Sequence, residues 1–169
     1  MIGDSEMNIL LTAFINTSSE LLIKSFGDNY DKLILENNKK QCFSQFKDKI
    51  EAKSYDYVFS FGQKPVISDK VYIEQYAKND KGTYETTIDI TKFANAFMSS
   101  ALTVKLSKNA GTSYCNYLYA QGLEYLILSN LTTKMIFIHV PFSKNITDFN
   151  NFSQKIKDAI GNYARGYYD

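Results

Sequence analysis

Met135-Ile-Phe-Ile-His-Val-Pro141 is an apolar run of strand length that a proline ends. Proline cannot donate to the ladder of a central strand, so the strand is expected to end there. The preceding segment, residues 114–128, carries apolar side chains at helical spacing. A continuous apolar strand is typical of a parallel sheet that is covered on both faces. The two segments therefore predict a helix leading into a buried strand of an α/β protein.

Strand and helix patterns alternate along the rest of the chain. Strands are predicted at residues 8–13, 32–35, 57–61 and 101–106, with short extended pieces at 71–76 and 83–88. Helices are predicted to begin near Ser18 and to cover residues 42–50, 91–100 and 146–163. The strand at 57–61 is expected to stop in a sharp turn at Gly62. The alternation predicts a three-layer α/β/α sandwich around a mostly parallel twisted sheet, in one domain over residues 1–169.

Composition limits the classes of partner. The formal net charge is +1 and the charges are dispersed, which argues against binding to nucleic acid or to an anionic membrane surface. No apolar stretch approaches the roughly 18 residues that a membrane span needs. Only two cysteines are present and no secretory apolar segment is recognisable, which predicts free thiols and a cytoplasmic location.

The turn Asn109-Ala-Gly-Thr-Ser-Tyr-Cys-Asn-Tyr117 places Cys115 at the start of a helix. Backbone N–H groups there carry partial positive charge, so we expect the pKa of this thiol to lie below its free value of about 8.5. The chain's only histidine, His139, ends the apolar strand. One cysteine and one histidine at the ends of secondary-structure elements indicate covalent catalysis. From the pattern alone, a small core residue at Cys115 and a structural histidine remain alternatives, and Cys42 is interpreted as a core residue.

Three residues at predicted strand ends are candidates for binding a ligand. Gln63 follows the strand that ends near Gly62, while Phe14 and Phe142 follow the first strand and the histidine strand. Ligands of parallel α/β sheets gather outside the carboxyl ends of the strands. For the two phenylalanines, packing in the core is the alternative interpretation.

The cysteine turn and the histidine strand resemble those of the pyroglutamyl peptidase I (pyrrolidone-carboxylate peptidase) family. The cysteine motif matches at Ala110, Gly111, Thr112, Cys115 and Asn116. The segment Phe137-Ile-His-Val-Pro-Phe142 is similar to the family's histidine segment. Further upstream, Gly62-Gln63, Asp69-Lys-Val-Tyr-Ile73 and Leu11-Thr-Ala-Phe14 resemble other family segments in the same order.

The resemblance implies a cysteine peptidase that removes an N-terminal pyroglutamyl or similar small residue from a short peptide or capped amide. Cys115 would attack the amide carbonyl, His139 would move the proton, and Asp69 would orient the imidazole. Phe14, Gln63 and Phe142 would bind the substrate, and Lys78 would support the oxyanion. The resemblance also implies association into homodimers or homotetramers; no cofactor or metal is expected.

The chain departs from the family pattern in two places. After Phe14 it continues Ile15-Asn-Thr-Ser-Ser19, where the family has a Glu-Pro-Phe-Gly-Gly segment, and the chain between Gln63 and Asp69 is contracted. Two classes of function therefore stay open. One is an active hydrolase with shifted specificity, and the other is a catalytically degenerate homologue that acts as a binding or regulatory module.

Overall fold

A computed structural model of the protein describes residues 6–65 and 68–168. The strands are β1 (Ile9–Phe14), β2 (Asp31–Leu35), β3 (Tyr57–Lys64), β4 (Lys70–Glu74), β5 (Tyr76–Asn79), β6 (Gly82–Glu85), β7 (Thr103–Ser107) and β8 (Lys134–Pro141). The helices are α1 (Ser18–Lys24), α2 (Lys39–Ala52), α3 (Ile90–Ser99), α4 (Tyr114–Leu128) and α5 (Phe149–Ala164), with a short 3₁₀ turn at Ser143–Asn145.

Six strands form the central sheet in the order β2-β1-β3-β8-β4-β7. All neighbouring pairs are parallel except β4 and β8, which run antiparallel. Strands β5 and β6 form a separate antiparallel hairpin. The predicted fold class, an α/β sandwich around a mostly parallel sheet, is confirmed.

Alternation along β8 divides the core into two layers. Ile136, Ile138 and Val140 pack with α1, α3 and α5 on one face, while Met135 and Phe137 pack with α2 and α4 on the other. Successive side chains of a strand point to opposite faces, so a sheet covered on both sides needs apolar residues at every position. The continuous apolar run of β8 is explained by this double burial.

The predicted turn at Gly62 is wrong. Strand β3 continues through Gly62 to Lys64, and Gly62 pairs with His139 of β8. A side chain at position 62 would collide with the sulfur of Cys115, since an added Cβ would lie 2.6 Å from Sγ. Glycine is therefore needed here for the close approach of α4, not for a reversal of the chain.

The β5–β6 hairpin lies against α4. The Asn116 side chain of α4 accepts a hydrogen bond from the backbone N–H of Lys78 at 3.0 Å and donates to its carbonyl at 2.8 Å. Further along the helix, Glu124 accepts hydrogen bonds from Asn79 and Lys81. The hairpin is thus fixed to the helix whose first turn carries Cys115. Across the described residues, no helix combines the length and the apolar character that a membrane span requires.

Candidate active site

Cys115 lies in the first turn of α4, after the N-cap residue Ser113. In the loop between β7 and α4, Gly111 adopts a positive φ of 88°, a conformation that glycine adopts without strain. The side chain of Ser113 makes no capping hydrogen bond to the helix. The N–H groups of the first turn therefore lack the usual side-chain acceptor, which leaves them available to an oxyanion.

His139 and Cys115 meet at the same level of the sheet. His139 is buried, and its ring lies 5.0 Å from that of Phe137 on the face covered by α4. The Cys115 sulfur lies against Gly62, which is the strand partner of His139. Neighbouring strands are about 4.8 Å apart. The pairing of β3 with β8 therefore places the imidazole on the strand next to the residue that the sulfur lies against.

Glu74 is the carboxylate partner of His139. Its Oε1 lies 2.7 Å from His139 Nδ1, and the Glu74 side chain is completely buried. The contact crosses from β4 to β8, where Tyr72 pairs with His139 and Glu74 pairs with Phe137. With Glu74 ionised, Nδ1 carries the proton and donates it, which leaves the lone pair on Nε2.

The prediction that Asp69 orients His139 is corrected by this contact. Asp69 precedes β4, at the opposite end of the strand from Glu74, and its Oδ1 accepts a hydrogen bond from Thr147 N at 3.2 Å. The signal that could have identified Glu74 is its position. An acidic residue that directly follows the apolar positions Val71 and Ile73, in a sheet covered on both faces, must be paired if it is buried.

Burial determines the protonation of the thiol and the imidazole. Desolvation raises the pKa of Cys115 to about 12, despite a hydrogen bond with Ser113 that opposes the rise. Desolvation lowers the pKa of His139, against the opposing influence of Glu74. The expected low pKa of Cys115 is therefore wrong, because loss of solvation outweighs the field of the helix N-terminus. At rest the structure holds a neutral thiol beside a neutral imidazole.

Glu74 is ionised in the same state. Desolvation alone would raise its pKa, but the hydrogen bond with His139, the nearby hydroxyl of Ser107 and the charge of Lys64 lower it on balance. Lys64 Nζ lies 3.1 Å from Glu74 Oε1, the oxygen that also faces His139. Sequence reasoning missed Lys64 because it placed the end of β3 before this residue.

The predicted binding residues Phe14, Gln63 and Phe142 lie at the carboxyl ends of three neighbouring strands, β1, β3 and β8. Gln63 Oε1 accepts a hydrogen bond from Ser18 N at 2.9 Å, which links β3 to the start of α1. Phe14 is buried, and its ring lies 6.2 Å from that of Tyr114, the residue before Cys115. Phe142 follows β8 and is partly exposed.

Lys78 is not placed with these residues. Its side chain is exposed, and the hydrogen bonds found for it run from its backbone to Asn116. The cation that contacts the buried carboxylate is Lys64. The prediction for Cys42 as a core residue is confirmed, because its side chain is completely buried. No cluster of three or more His, Cys, Asp or Glu side chains able to hold a metal occurs within residues 6–65 and 68–168.

The fold and the site together define an α/β sandwich in which a cysteine at a helix start, a histidine on a central strand and a buried carboxylate gather over one face. A model of the pyroglutamyl peptidase family matches residues 63–153, more than half of the chain, so the chain belongs to that family. The match includes Cys115, His139 and Glu74.

Individual relatives agree with the family assignment. A pyrrolidone-carboxylate peptidase of Thermococcus kodakarensis is 37% identical over 60 residues, which make up 36% of this chain and 29% of that protein. The match thus spans less than a third of the length of that curated relative.

Two solved structures share the fold. The pyrrolidone carboxyl peptidase of Thermococcus litoralis has a TM-score of 0.78 and 18% identity, over 92% of each chain. Pyroglutamyl peptidase I of Bacillus amyloliquefaciens has a TM-score of 0.82 and 15% identity, over 97% of this chain and 100% of that one.

Proposed function

We propose that this protein is a cysteine peptidase that removes an N-terminal pyroglutamyl or similar small residue, with Cys115 as nucleophile, His139 as base and Glu74 as the group that orients it. The observation that carries the proposal is the juxtaposition at the β3–β8 pair. The Cys115 sulfur lies against Gly62, which is the strand partner of His139. Nδ1 of His139 in turn lies within hydrogen-bonding distance of Glu74. The class of substrate follows from the family and from the name of the Thermococcus kodakarensis relative.

The reaction begins from the neutral pair. His139 Nε2 accepts the thiol proton as sulfur attacks the carbonyl carbon, because a separate thiolate is costly in this buried position. Glu74 holds Nδ1–H and stabilises the imidazolium that forms. The N–H groups of the first turn of α4 receive the developing oxyanion. His139 then gives its proton to the leaving amine. A water molecule next attacks the thioester and gives a proton to His139, which passes it to the Cys115 sulfur as the carbon–sulfur bond breaks.

Substrate recognition is proposed to use Phe14, Gln63 and Phe142. Gln63 Oε1 accepts the hydrogen bond from Ser18 N, so the NH₂ group of Gln63 points away from α1. This NH₂ group can donate to the carbonyl of a ligand. Phe14 and the neighbouring Tyr114 supply aromatic surface next to Cys115. The segment after Phe14, which departs from the family pattern, begins α1 with Thr17 as its cap. A changed preference for the residue removed is therefore part of the proposal.

A fluorogenic pyroglutamyl amide tests the activity. The wild-type protein is expected to release the fluorophore, Cys115→Ala is expected to lose this activity, and Cys42→Ala is expected to keep it. Turnover that survives in Cys115→Ala would refute the proposed nucleophile. If no turnover is seen with pyroglutamyl, prolyl or other small N-terminal residues, the peptidase proposal fails.

The second candidate is a binding module that keeps the fold without turnover. The burial of Cys115, whose exposed fraction is 8%, favours it, since a nucleophile must reach its substrate. Calorimetry with a pyroglutamyl peptide separates the peptidase from the binding module. Binding by Cys115→Ala, together with binding by a wild-type protein that shows no turnover, would support the module.

We further propose a cytoplasmic protein that forms homodimers or homotetramers. Cys42 and Cys115 are both free thiols, which suits a reducing compartment. Oligomerisation rests on the family resemblance alone. Light scattering at several protein concentrations tests it, and a monomer throughout would refute it.

A further inference from the structure

One oxygen of the buried Glu74 carboxylate lies close to two side chains, His139 and Lys64. Oε1 lies 2.7 Å from His139 Nδ1 and 3.1 Å from Lys64 Nζ. The Glu74 side chain is completely buried, while that of Lys64 keeps 25% exposure. Lys64 thus reaches inward from the end of β3 and leaves its outer part in contact with solvent.

Tyr72 holds Lys64 in this position. The ammonium lies 4.5 Å from the centre of the Tyr72 ring, within the range of a cation–π contact. Tyr72 is also the strand partner of His139 across the β4–β8 pair. Lys105 lies over the same ring at 5.4 Å, whereas the ion pairs found for Glu74 within residues 6–65 and 68–168 are with Lys64 and His139. The two lysines therefore share an aromatic contact and differ in their contact with the carboxylate.

The charges around His139 can be named from each packed element. They are the Glu74 carboxylate from β4, the Lys64 ammonium from β3 and the Cys115 thiol from α4, and the Cys42 thiol of α2 in turn influences that of Cys115. A buried carboxylate with no other cationic partner raises the pKa of an adjacent imidazole, because the negative charge stabilises the imidazolium. Lys64 opposes this: its charge lowers the pKa of both His139 and Glu74.

We propose that Lys64 is a positioning residue that keeps Glu74 ionised and His139 neutral, so that Nε2 is free to accept the thiol proton. The proposal rests on the proposed peptidase function for its consequence, but not for its test. Without Lys64 the Glu74–His139 pair would retain a second proton to higher pH. The base would then stay protonated to a higher pH than in the wild-type protein, although every catalytic side chain is still present.

The chain's only histidine makes the test direct. The imidazole Cε1–H signal in an NMR titration belongs to His139 alone. Lys64→Met and Lys64→Gln are expected to raise the pKa of His139 by about 1. Lys64→Arg should stay close to wild type, since it keeps the charge. Lys105→Met is the matched control and should leave the titration unchanged. An unchanged pKa in both neutral variants, or an equal rise in Lys105→Met, would overturn the proposal.

The kinetic measurement uses the same variants. Below the shifted pKa, kcat/KM of Lys64→Met is expected to fall by about tenfold, and at about pH 9 it should approach the wild-type value. A loss that is equal at every pH would indicate only structural damage and would overturn the assignment. If the titration shifts as expected but the wild type hydrolyses no pyroglutamyl amide, the proposed function fails and the role of Lys64 stands. If hydrolysis is observed and the titration does not shift, the proposed function stands and the role assigned to Lys64 fails.

Discussion

The sulfur of Cys115 occupies the space in which a side chain of Gly62 would stand, since a Cβ there would lie 2.6 Å from Sγ. The same added carbon would lie 2.9 Å from the Phe137 ring. Gly62 in turn is the strand partner of His139. The position of Cys115, the proposed nucleophile, therefore depends on the absence of a side chain at residue 62 of β3 as well as on α4.

Gly62→Ala is expected to displace Cys115 and Phe137 together. Overpacking of this kind costs about 1–3 kcal/mol in the free energy of unfolding, and a displaced nucleophile costs about 10²-fold in kcat/KM. Urea unfolding and steady-state kinetics measure the two effects. Gly161→Ala is the control, because its Cβ would meet only the end of the Arg165 side chain at 3.2 Å. That variant should be neutral or more stable by about 0.5–1 kcal/mol. A fully active Gly62→Ala would contradict the assigned position of the thiol.

Glu74→Gln is expected to lower kcat/KM by about 10³–10⁴-fold while the protein remains folded. The amide can present its NH₂ to His139 Nδ1 and so favour the wrong tautomer, with the proton on Nε2. Asp69→Asn tests the sequence-based alternative and should keep nearly full activity, since Asp69 contacts Thr147. If the two variants exchange these results, Asp69 is the orienting group and the assignment of Glu74 is wrong.

Alkylation of Cys115 by iodoacetamide is expected to be slow at neutral pH. Because burial raises the pKa of this thiol to about 12, the thiolate fraction increases with pH throughout the accessible range. The labelling rate should rise about tenfold per pH unit from about pH 7 to about pH 10, without a plateau. Peptide mapping follows Cys42 in the same samples as an internal control, and its pKa is raised to about 11. A plateau below pH 8 at Cys115 would show a resting thiolate–imidazolium pair instead.

Asn116→Asp is expected to loosen the first turn of α4. The substitution keeps the acceptor for Lys78 N but replaces the donor to Lys78 O with a second oxygen. Loss of this bond should cost about 1–2 kcal/mol of stability, and kcat should fall because the preceding residue, Cys115, is the proposed nucleophile. Gln121→Ala removes one bond to Asn79 further along the helix and serves as the control, with activity near wild type. Unchanged kcat in Asn116→Asp would show that the hairpin does not position Cys115.

The fold could be predicted from the sequence because each strand of the central sheet carries its own local signal. Apolar runs such as β8 and helices such as α4 identify their elements without knowledge of the neighbours. The catalytic candidates Cys115 and His139 came from local motifs in the same way. Glu74 did not, because its role depends on the antiparallel register of β4 against β8, which pairs Tyr72 with His139 and is invisible in a linear pattern.

The errors at Cys115 and Lys64 share one physical cause. Both depend on how the helices pack against the sheet, which a local sequence pattern does not show. The pKa of Cys115 was expected to fall because the helix N-terminus is a local feature, whereas its desolvation by the layers packed around it is not. Lys64 was missed because Gly62 looks like a turn when the approach of α4 is unknown.

The division of the core into two layers determines which substitutions can alter stability without disturbing the proposed active site. Tyr163 of α5 lies at the centre of a ring cluster with Tyr57, Phe59 and Phe93, on the sheet face opposite α4. The proposed nucleophile Cys115, its proposed base His139 and the Glu74 carboxylate all lie on the α4 side. Substitutions in the α3–α5 layer can therefore raise or lower thermal stability with little effect on the geometry of the proposed active site. That layer is the place to engineer a more stable variant of this protein.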